Sequence, residues 1–195
     1  ALAGAIFVLP FLLFSALAGR IADHFSKSKI VVVVKIAEIA IMAAGLMAFV
    51  TGSSTALYVL LFLMATQSAF FAPAKYGIVP ELVETSQLSR ANSFVEAFTY
   101  LAIVAGTALA PFIAQVTGEN YAIGSTVCIA IAVIGFFVSR KIAPTMPAGG
   151  NKKASLFFVR DLYRTVVSIK SDRPLILSVF ATAWFMFVGG FLYAN

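Results

Sequence analysis

Long apolar runs separated by short polar segments make up most of the sequence. A bilayer-spanning helix needs about 20 mostly apolar residues, and the runs have roughly that length. Because they are continuously apolar rather than alternating, they predict an all-α membrane protein and not a membrane barrel of strands. The six runs cover residues 1–19, 30–50, 56–72, 94–117, 121–139 and 174–195.

The composition also indicates an integral membrane protein. Of the 195 residues, 61% are hydrophobic and 11% are charged, and the mean hydropathy is +0.99. Soluble domains carry about 25% charged residues, so this composition excludes a soluble enzyme and a disordered chain. The single cysteine, Cys128, allows no internal disulfide, and the single histidine, His24, leaves no cluster for a metal. We expect no metal, no cofactor and no nucleic-acid partner.

The positions of the basic residues predict the topology. The segment between the first two runs carries Arg20, Lys27 and Lys29 against Asp23, and residues 140–173 carry eight basic and two acidic residues. Loops on the cytoplasmic side of a membrane are enriched in Lys and Arg. The first, third and fifth connections are therefore expected on the cytoplasmic side, and the second and fourth on the opposite side.

The long fifth connection divides the chain into parts. Pro144 and Pro147, with two glycines after them, predict a linker. Over 155–169, apolar residues recur at helical spacing with basic residues opposite, which predicts either an amphipathic helix on the cytoplasmic membrane surface or a packed connector between two bundles. The chain starts without methionine and stops inside an apolar run, so it is expected to be a fragment. The expected parts are a five-span bundle over 1–141, a linker over 142–173 and the first span of a second half over 174–195.

The connection between the first two runs resembles a transporter motif. It begins with Gly19, places Asp23 four residues later and continues to Lys27. This resembles the G-x-L-x-D-R-x-G-R-R motif of the major facilitator superfamily, which joins helices two and three of those transporters, although Ser26 replaces its second glycine and His24 a basic residue. A carboxylate at a helix end can hold a cation in one state and release it in another. We therefore predict a gate at Gly19, Asp23 and Lys27.

The segment after the third run carries a more specific pattern. Its residues read P-A-K-Y-G-I-V-P-E-L from Pro73 to Leu82, and A-N-S-F-V-E follows from Ala91 to Glu96. Both stretches resemble the bacterial lysophospholipid transporter family, and the resemblance covers essentially the whole chain, as helices two to six and the start of helix seven. Gly77 is expected to permit a tight turn. The matching positions are Pro73, Lys75, Tyr76, Gly77, Glu81, Asn92 and Glu96.

Charged and amide residues at the runs are the candidates for a substrate pathway. Lys35 and Glu38 lie inside the second run, where each charge costs about 2.5–3.5 kcal/mol on insertion scales. Their i, i+3 spacing allows them to pair, so they are either an ion pair that fixes helix packing or the lining of a substrate cavity. Asn92 and Glu96 share a helix face, where Glu96 could instead meet the helix dipole. Lys75 either contacts substrate or extends to the membrane surface.

These charges suit a zwitterionic head group, with phosphate near either lysine and an amine near either glutamate. The resemblance implies a transporter, not an enzyme, that moves lysophospholipid such as lysophosphatidylethanolamine to the cytoplasmic leaflet of the bacterial inner membrane by alternating access. An acyltransferase partner, fused or separate, would restore the second chain there. Two alternatives stay open: a proton-coupled antiporter of a small solute or drug from the same superfamily, and a membrane anchor of a fused acyltransferase.

Overall fold

The protein is mostly helical, without strands, in the part that the computed structural model describes, which comprises residues 2–147, 167 and 172–194. Five of its helices are long and apolar enough to cross a membrane. The prediction of an all-α membrane protein is therefore confirmed. The elements are α1 (Leu2–His24), α2 (Lys27–Thr51), α3 (Ser54–Gly77), α4 (Val79–Leu82), a 3-10 turn (Thr85–Gln87), α5 (Leu88–Val116), α6 (Tyr121–Ser139) and α7 (Arg173–Ala194).

The chain forms two compact units, Ala1–Asn151 and Lys152–Asn195. The first contains α1 to α6. The second contains α7, a helix of 22 residues over Arg173–Ala194. Of the amphipathic helix expected over 155–169, the structure describes only Val167, so both interpretations of that segment stay predictions.

Helix packing in the first unit relies on small side chains. The main contacts join α1 to α3, α3 to α2 and α2 to α6. Lipid supplies no hydrophobic drive between helices, so close approach of the backbones has to provide the attraction. α5 differs, because none of its residues is buried. The buried alanines of the packed helices are Ala18, Ala22, Ala48, Ala65, Ala69, Ala74 and Ala132.

Four helices, α1, α2, α3 and α5, extend beyond the apolar runs that predicted them. α1 continues past Gly19 to His24, so only Phe25 and Ser26 connect it to α2. The expectation of a loop that starts at Gly19 was therefore wrong. α5 likewise begins at Leu88, before the fourth run. Hydropathy ends a run at the first charged residue, whereas backbone hydrogen bonding continues through polar residues at a helix end.

The connections alternate between the two ends of the first unit. At one end, called here the Lys27 end, Lys27 pairs with Glu81 and the backbone of Ser28 bonds to Thr145, which brings the first, third and fifth connections together. At the other end the ring of Phe49 stacks on the ring of Tyr121, with centroids 5.7 Å apart, which brings the second and fourth connections together. This arrangement is that of a multi-pass bundle.

We predict that overpacking at Ala74 destabilises the first unit. Ala74 is completely buried in a cluster with Ala22 and Val31, so the larger side chain of Ala74→Leu should lower the free energy of unfolding by about 1–3 kcal/mol. The measurement is thermal unfolding of the full-length protein in detergent. Ala102→Leu, at an exposed position of α5, adds the same atoms and should leave the unfolding temperature unchanged; equal losses in both variants would contradict the packing described here.

Candidate functional site

An ion pair at the Lys27 end joins two of the predicted site residues. Lys27, in the first turn of α2, pairs with Glu81 of α4, and their side chains are 7% and 25% exposed. The lysine reaches Glu81 by passing over Gly77. A Cβ atom on Gly77 would lie 2.9 Å from Cε and 3.2 Å from Cδ of Lys27. Gly77 therefore provides the space through which the ion pair forms.

The expectation that Gly77 permits a tight turn was wrong. Gly77 is the last residue of α3, and the positive φ angles of the described glycines occur at Gly52 and Gly118 instead. The chain continues from Gly77 into α4 after Ile78. The absence of a side chain is needed here for the close approach of Lys27, not for an unusual backbone conformation.

The other predicted gate residues lie in α1. Gly19 is helical, and a Cβ atom there would meet nothing within 4 Å. Asp23 is exposed and has no ion-pair partner within the described ranges. Ser26, which replaces a glycine of the motif, has φ −56° and ψ 120°. That conformation is open to any residue, so the replacement does not distort the connection.

A second polar group lies inside the membrane-spanning part of α2 and α3. Lys35 Nζ donates to Glu38 Oε2 at 2.7 Å, and Gln67 Nε2 reaches the same oxygen at 3.4 Å. Ser68 Oγ donates to Gln67 Oε1 at 3.2 Å. Lys35 also lies over the ring of Phe71, 5.4 Å from its centroid. Lys35, Glu38, Gln67 and Ser68 are called the polar cluster below.

The polar cluster lies at depth in the bundle. Glu38 is eleven residues and Lys35 eight residues beyond Lys27, which places them about 12–16 Å along the helix axis at 1.5 Å per residue. A hydrocarbon core is about 30 Å thick, so this position is near its middle. The Lys35 and Glu38 side chains are 23% and 18% exposed, so each is open to contact on one side.

A third group connects α3 to α5 between these two levels. Lys75 Nζ donates to Thr99 Oγ1 at 2.6 Å and lies 4.8 Å from the centroid of the Tyr76 ring. The Glu96 carboxylate lies beside the Tyr76 hydroxyl. Asn92, on the same helix as Glu96, is exposed and forms no side-chain hydrogen bond within the described residues. The structure thus brings Lys75, Tyr76 and Glu96 together and leaves Asn92 apart.

Pro73 is the one proline inside α3. It lies one turn before Gly77, between the polar cluster and the Lys27 end. A proline removes a backbone hydrogen bond from the preceding turn. Pro73 is half-buried among the helices of the first unit.

Three hydroxyl residues at the Lys27 end were missed by the sequence analysis. Ser26, Ser28 and Thr145 are all buried and hydrogen-bond to one another. Thr145 stands between Pro144 and Pro147 and was assigned to a linker on that ground. No local signal in the sequence relates it to residues 117 positions earlier.

An apolar cavity adjoins the polar cluster. It has a volume of about 770 Å³, is open on one side and is lined by residues of α2, α3, α5 and α6. Ile41 and Met42 in its wall follow Glu38 by one helical turn, and Met64 precedes Gln67 by one turn. Polar surface therefore passes directly into apolar surface along both α2 and α3.

We predict that Gly77→Ala disturbs the Lys27–Glu81 ion pair and that the effect depends on the lysine. The new methyl group would displace the lysine side chain, which should lower the unfolding temperature of the full-length protein. In a Lys27→Ala background the atoms it meets are gone, so the same change should then be neutral. Gly106→Ala, where a Cβ atom meets nothing within 4 Å, is the matched control. An equal decrease of the unfolding temperature in both backgrounds would contradict the passage of the Lys27 side chain over Gly77.

Comparison with known proteins agrees with the bundle of membrane-spanning helices described above. The sequence model of the Major Facilitator Superfamily matches residues 1–195. A lysophospholipid transporter LplT from Photorhabdus laumondii is 32% identical over 155 residues, which is 77% of this chain and 37% of that protein. Proteins of the same name from Salmonella paratyphi B and Salmonella typhimurium are 32% identical over 146 residues, which is 73% of this chain and 33% of each.

The predicted resemblance to lysophospholipid transporters is thus confirmed, and the chain spans about a third of the length of these relatives. The all-α bundle of membrane-spanning helices agrees with the superfamily match over the whole chain. The chain belongs to the Major Facilitator Superfamily, and hence to a family of membrane transporters rather than of enzymes.

Proposed function

We propose that this chain is part of a transporter that moves lysophospholipid, such as lysophosphatidylethanolamine, to the cytoplasmic leaflet of the bacterial inner membrane by alternating access. The observation that carries the proposal is the polar cluster beside an apolar cavity. A lysophospholipid has one charged head group and one acyl chain, so its chemistry matches both surfaces. The names of the similar proteins support the same substrate class.

Lys35 and Glu38 are suited to the two charges of a zwitterionic head group, the ammonium facing the phosphate and the carboxylate facing the amine. They pair within one helix, and they meet α3 through the long hydrogen bond from Gln67 and through the ring of Phe71. Because the ion pair itself lies on a single helix, a substrate can replace its partners without breaking an ion pair between two helices. This property favours a binding role over a packing role.

The acyl chain of the substrate has a candidate place in the apolar cavity. The cavity starts one helical turn from the polar cluster on both α2 and α3. Its volume of about 770 Å³ is within the range of small-molecule sites, roughly 300–1,000 Å³. A lipid bound here would keep its head group in the polar cluster and its chain in apolar surroundings.

We place the cytoplasmic gate at the Lys27 end. Basic connections favour the cytoplasmic side, and the Lys27–Glu81 pair and the Lys75–Thr99 hydrogen bond hold α2 to α4 and α3 to α5 near that end. Alternating access requires such contacts to form in one state and open in the other. Gly19 and Asp23 belong to the same proposed gate, with exposed Asp23 free to take a cation in the other state. An acyltransferase, fused or separate, would then reacylate the delivered lipid.

We predict that removing both charges of the polar cluster slows lysolipid transport strongly without preventing folding. Breaking a buried pair leaves an uncompensated charge, whereas replacing both partners by apolar residues is often neutral for stability. Lys35→Met with Glu38→Leu should therefore fold like the wild type and move lysophosphatidylethanolamine about tenfold more slowly or worse, which corresponds to about 1.4 kcal/mol or more. The measurement is movement of a labelled lipid between leaflets of liposomes that contain the full-length protein.

Glu84→Gln, at an exposed position of the third connection, removes a carboxylate away from the polar cluster and should leave transport unchanged. Wild-type transport by the double variant would mean that the pair only fixes helix packing. A folded wild-type protein that moves no lysolipid, but takes up a soluble compound in exchange for protons, would favour the antiporter instead.

A further inference from the structure

The start of α2 is capped by a residue from outside the helix. The first four backbone N–H groups of a helix have no partner within it, and a serine at the N-cap commonly accepts a hydrogen bond from one of them. Ser26 occupies the N-cap of α2 but makes no such bond. The N–H of Ser28 instead donates to Thr145 Oγ1 at 3.2 Å. The cap therefore comes from the segment that follows α6.

The contact between the two segments is reciprocal and buried. The N–H of Thr145 donates to Ser28 Oγ at 3.2 Å, and Ser26 Oγ lies 2.9 Å from Ser28 Oγ and 3.3 Å from Thr145 Oγ1. The three residues are 7–9% exposed. A buried polar group left without its partner costs about 1–3 kcal/mol, so the hydroxyl of Thr145 is needed to satisfy this site.

The segment that carries Thr145 also packs against the core of the first unit through an apolar side chain. Ile142 packs against the core cluster that contains Ala22, Ile30 and Val34. Residues 142–145 therefore belong to the packed bundle, although the sequence alone assigns them to the linker. The packed part of the fifth connection therefore extends to Thr145.

The capped turn is the one that carries Lys27. Lys27 stands between Ser26 and Ser28, so the backbone positions held by Thr145 are the ones from which its side chain extends. The side chain has little freedom, because it is 7% exposed and crosses Gly77 at close range to reach Glu81. A small displacement of the first turn would therefore move the ammonium out of the ion pair.

We propose that Thr145 is a positioning residue for the Lys27–Glu81 ion pair. Its hydroxyl caps α2 from outside the helix and thereby holds the turn from which Lys27 extends. Displacement of Thr145 would withdraw the cap, loosen the first turn of α2 and free Lys27 from Glu81. The proposal rests on the proposed function only in assigning Lys27 to a gate, since the cap and the ion pair exist whatever the substrate.

The test compares Thr145→Val with Thr145→Ser in the full-length protein, using two measurements that need no substrate. Hydrogen exchange of amides 27–30 reports the cap, and labelling of lysines with an amine-reactive ester, followed by mass spectrometry, reports the burial of Lys27. Thr145→Val keeps the shape of the side chain but removes the hydroxyl. We expect it to speed exchange about fivefold, the size of effect typical of a lost cap, and to increase the labelling of Lys27.

Thr145→Ser retains the hydroxyl and should restore both measurements to wild-type values. Lys29, which is exposed, is the internal control and should be labelled equally in all proteins. Ser28→Ala removes the acceptor of the Thr145 N–H, so it should loosen the same contact and increase the labelling of Lys27; this variant serves if Thr145→Val fails to fold. Unchanged exchange and labelling in folded Thr145→Val or Ser28→Ala, or increased Lys27 labelling in Thr145→Ser, would overturn the proposal. Failure of lysolipid transport in the wild type would overturn the proposed function and leave these results standing.

Discussion

A charged side chain taken out of water has to find its partner within the protein, and two ion pairs of the chain meet this constraint in different ways. Lys27 finds its partner in Glu81, and the contact holds the start of α2 against the end of α3 and α4. Lys35 finds its partner in Glu38, one turn along its own helix. The first pair joins elements that are distant in the sequence, whereas the second lies within one helix and meets α3 through Gln67 and Phe71. This difference suits a gate and a binding site respectively.

Charged and apolar side chains occupy successive zones along α2. A buried lysine in an ion pair at the Lys27 end, a partly exposed pair near the middle and an apolar wall beyond it succeed one another along α2. On the proposed route to the cytoplasmic leaflet, an amphipathic substrate would meet the apolar wall first and the charges of the polar cluster and the Lys27 end afterwards. A small soluble solute could bind to the charges but would not occupy the apolar cavity. For this reason the arrangement favours a lipid over the solute of a proton-coupled antiporter.

The sequence predicted the parts of this structure that depend on local pattern. Apolar runs predicted the five spanning helices, and the i, i+3 spacing predicted the Lys35–Glu38 pair. Contacts between distant segments were not predictable: Lys27 and Glu81 are 54 residues apart, and Ser28 and Thr145 are 117 apart. A single sequence does not say which distant residues share a helix end. Gly77 was misinterpreted for the same reason, because the lysine that needs its space comes from another helix.

The central claim is that the polar cluster holds the head group of a lysophospholipid. It is tested most directly by counting bound lipids on the full-length protein with native mass spectrometry after incubation with lysophosphatidylethanolamine. The account predicts that the wild type retains the lipid and that the protein without both charges, at Lys35 and Glu38, does not. Equal retention by both proteins would contradict the account, because the lipid would then bind without the charges of the polar cluster.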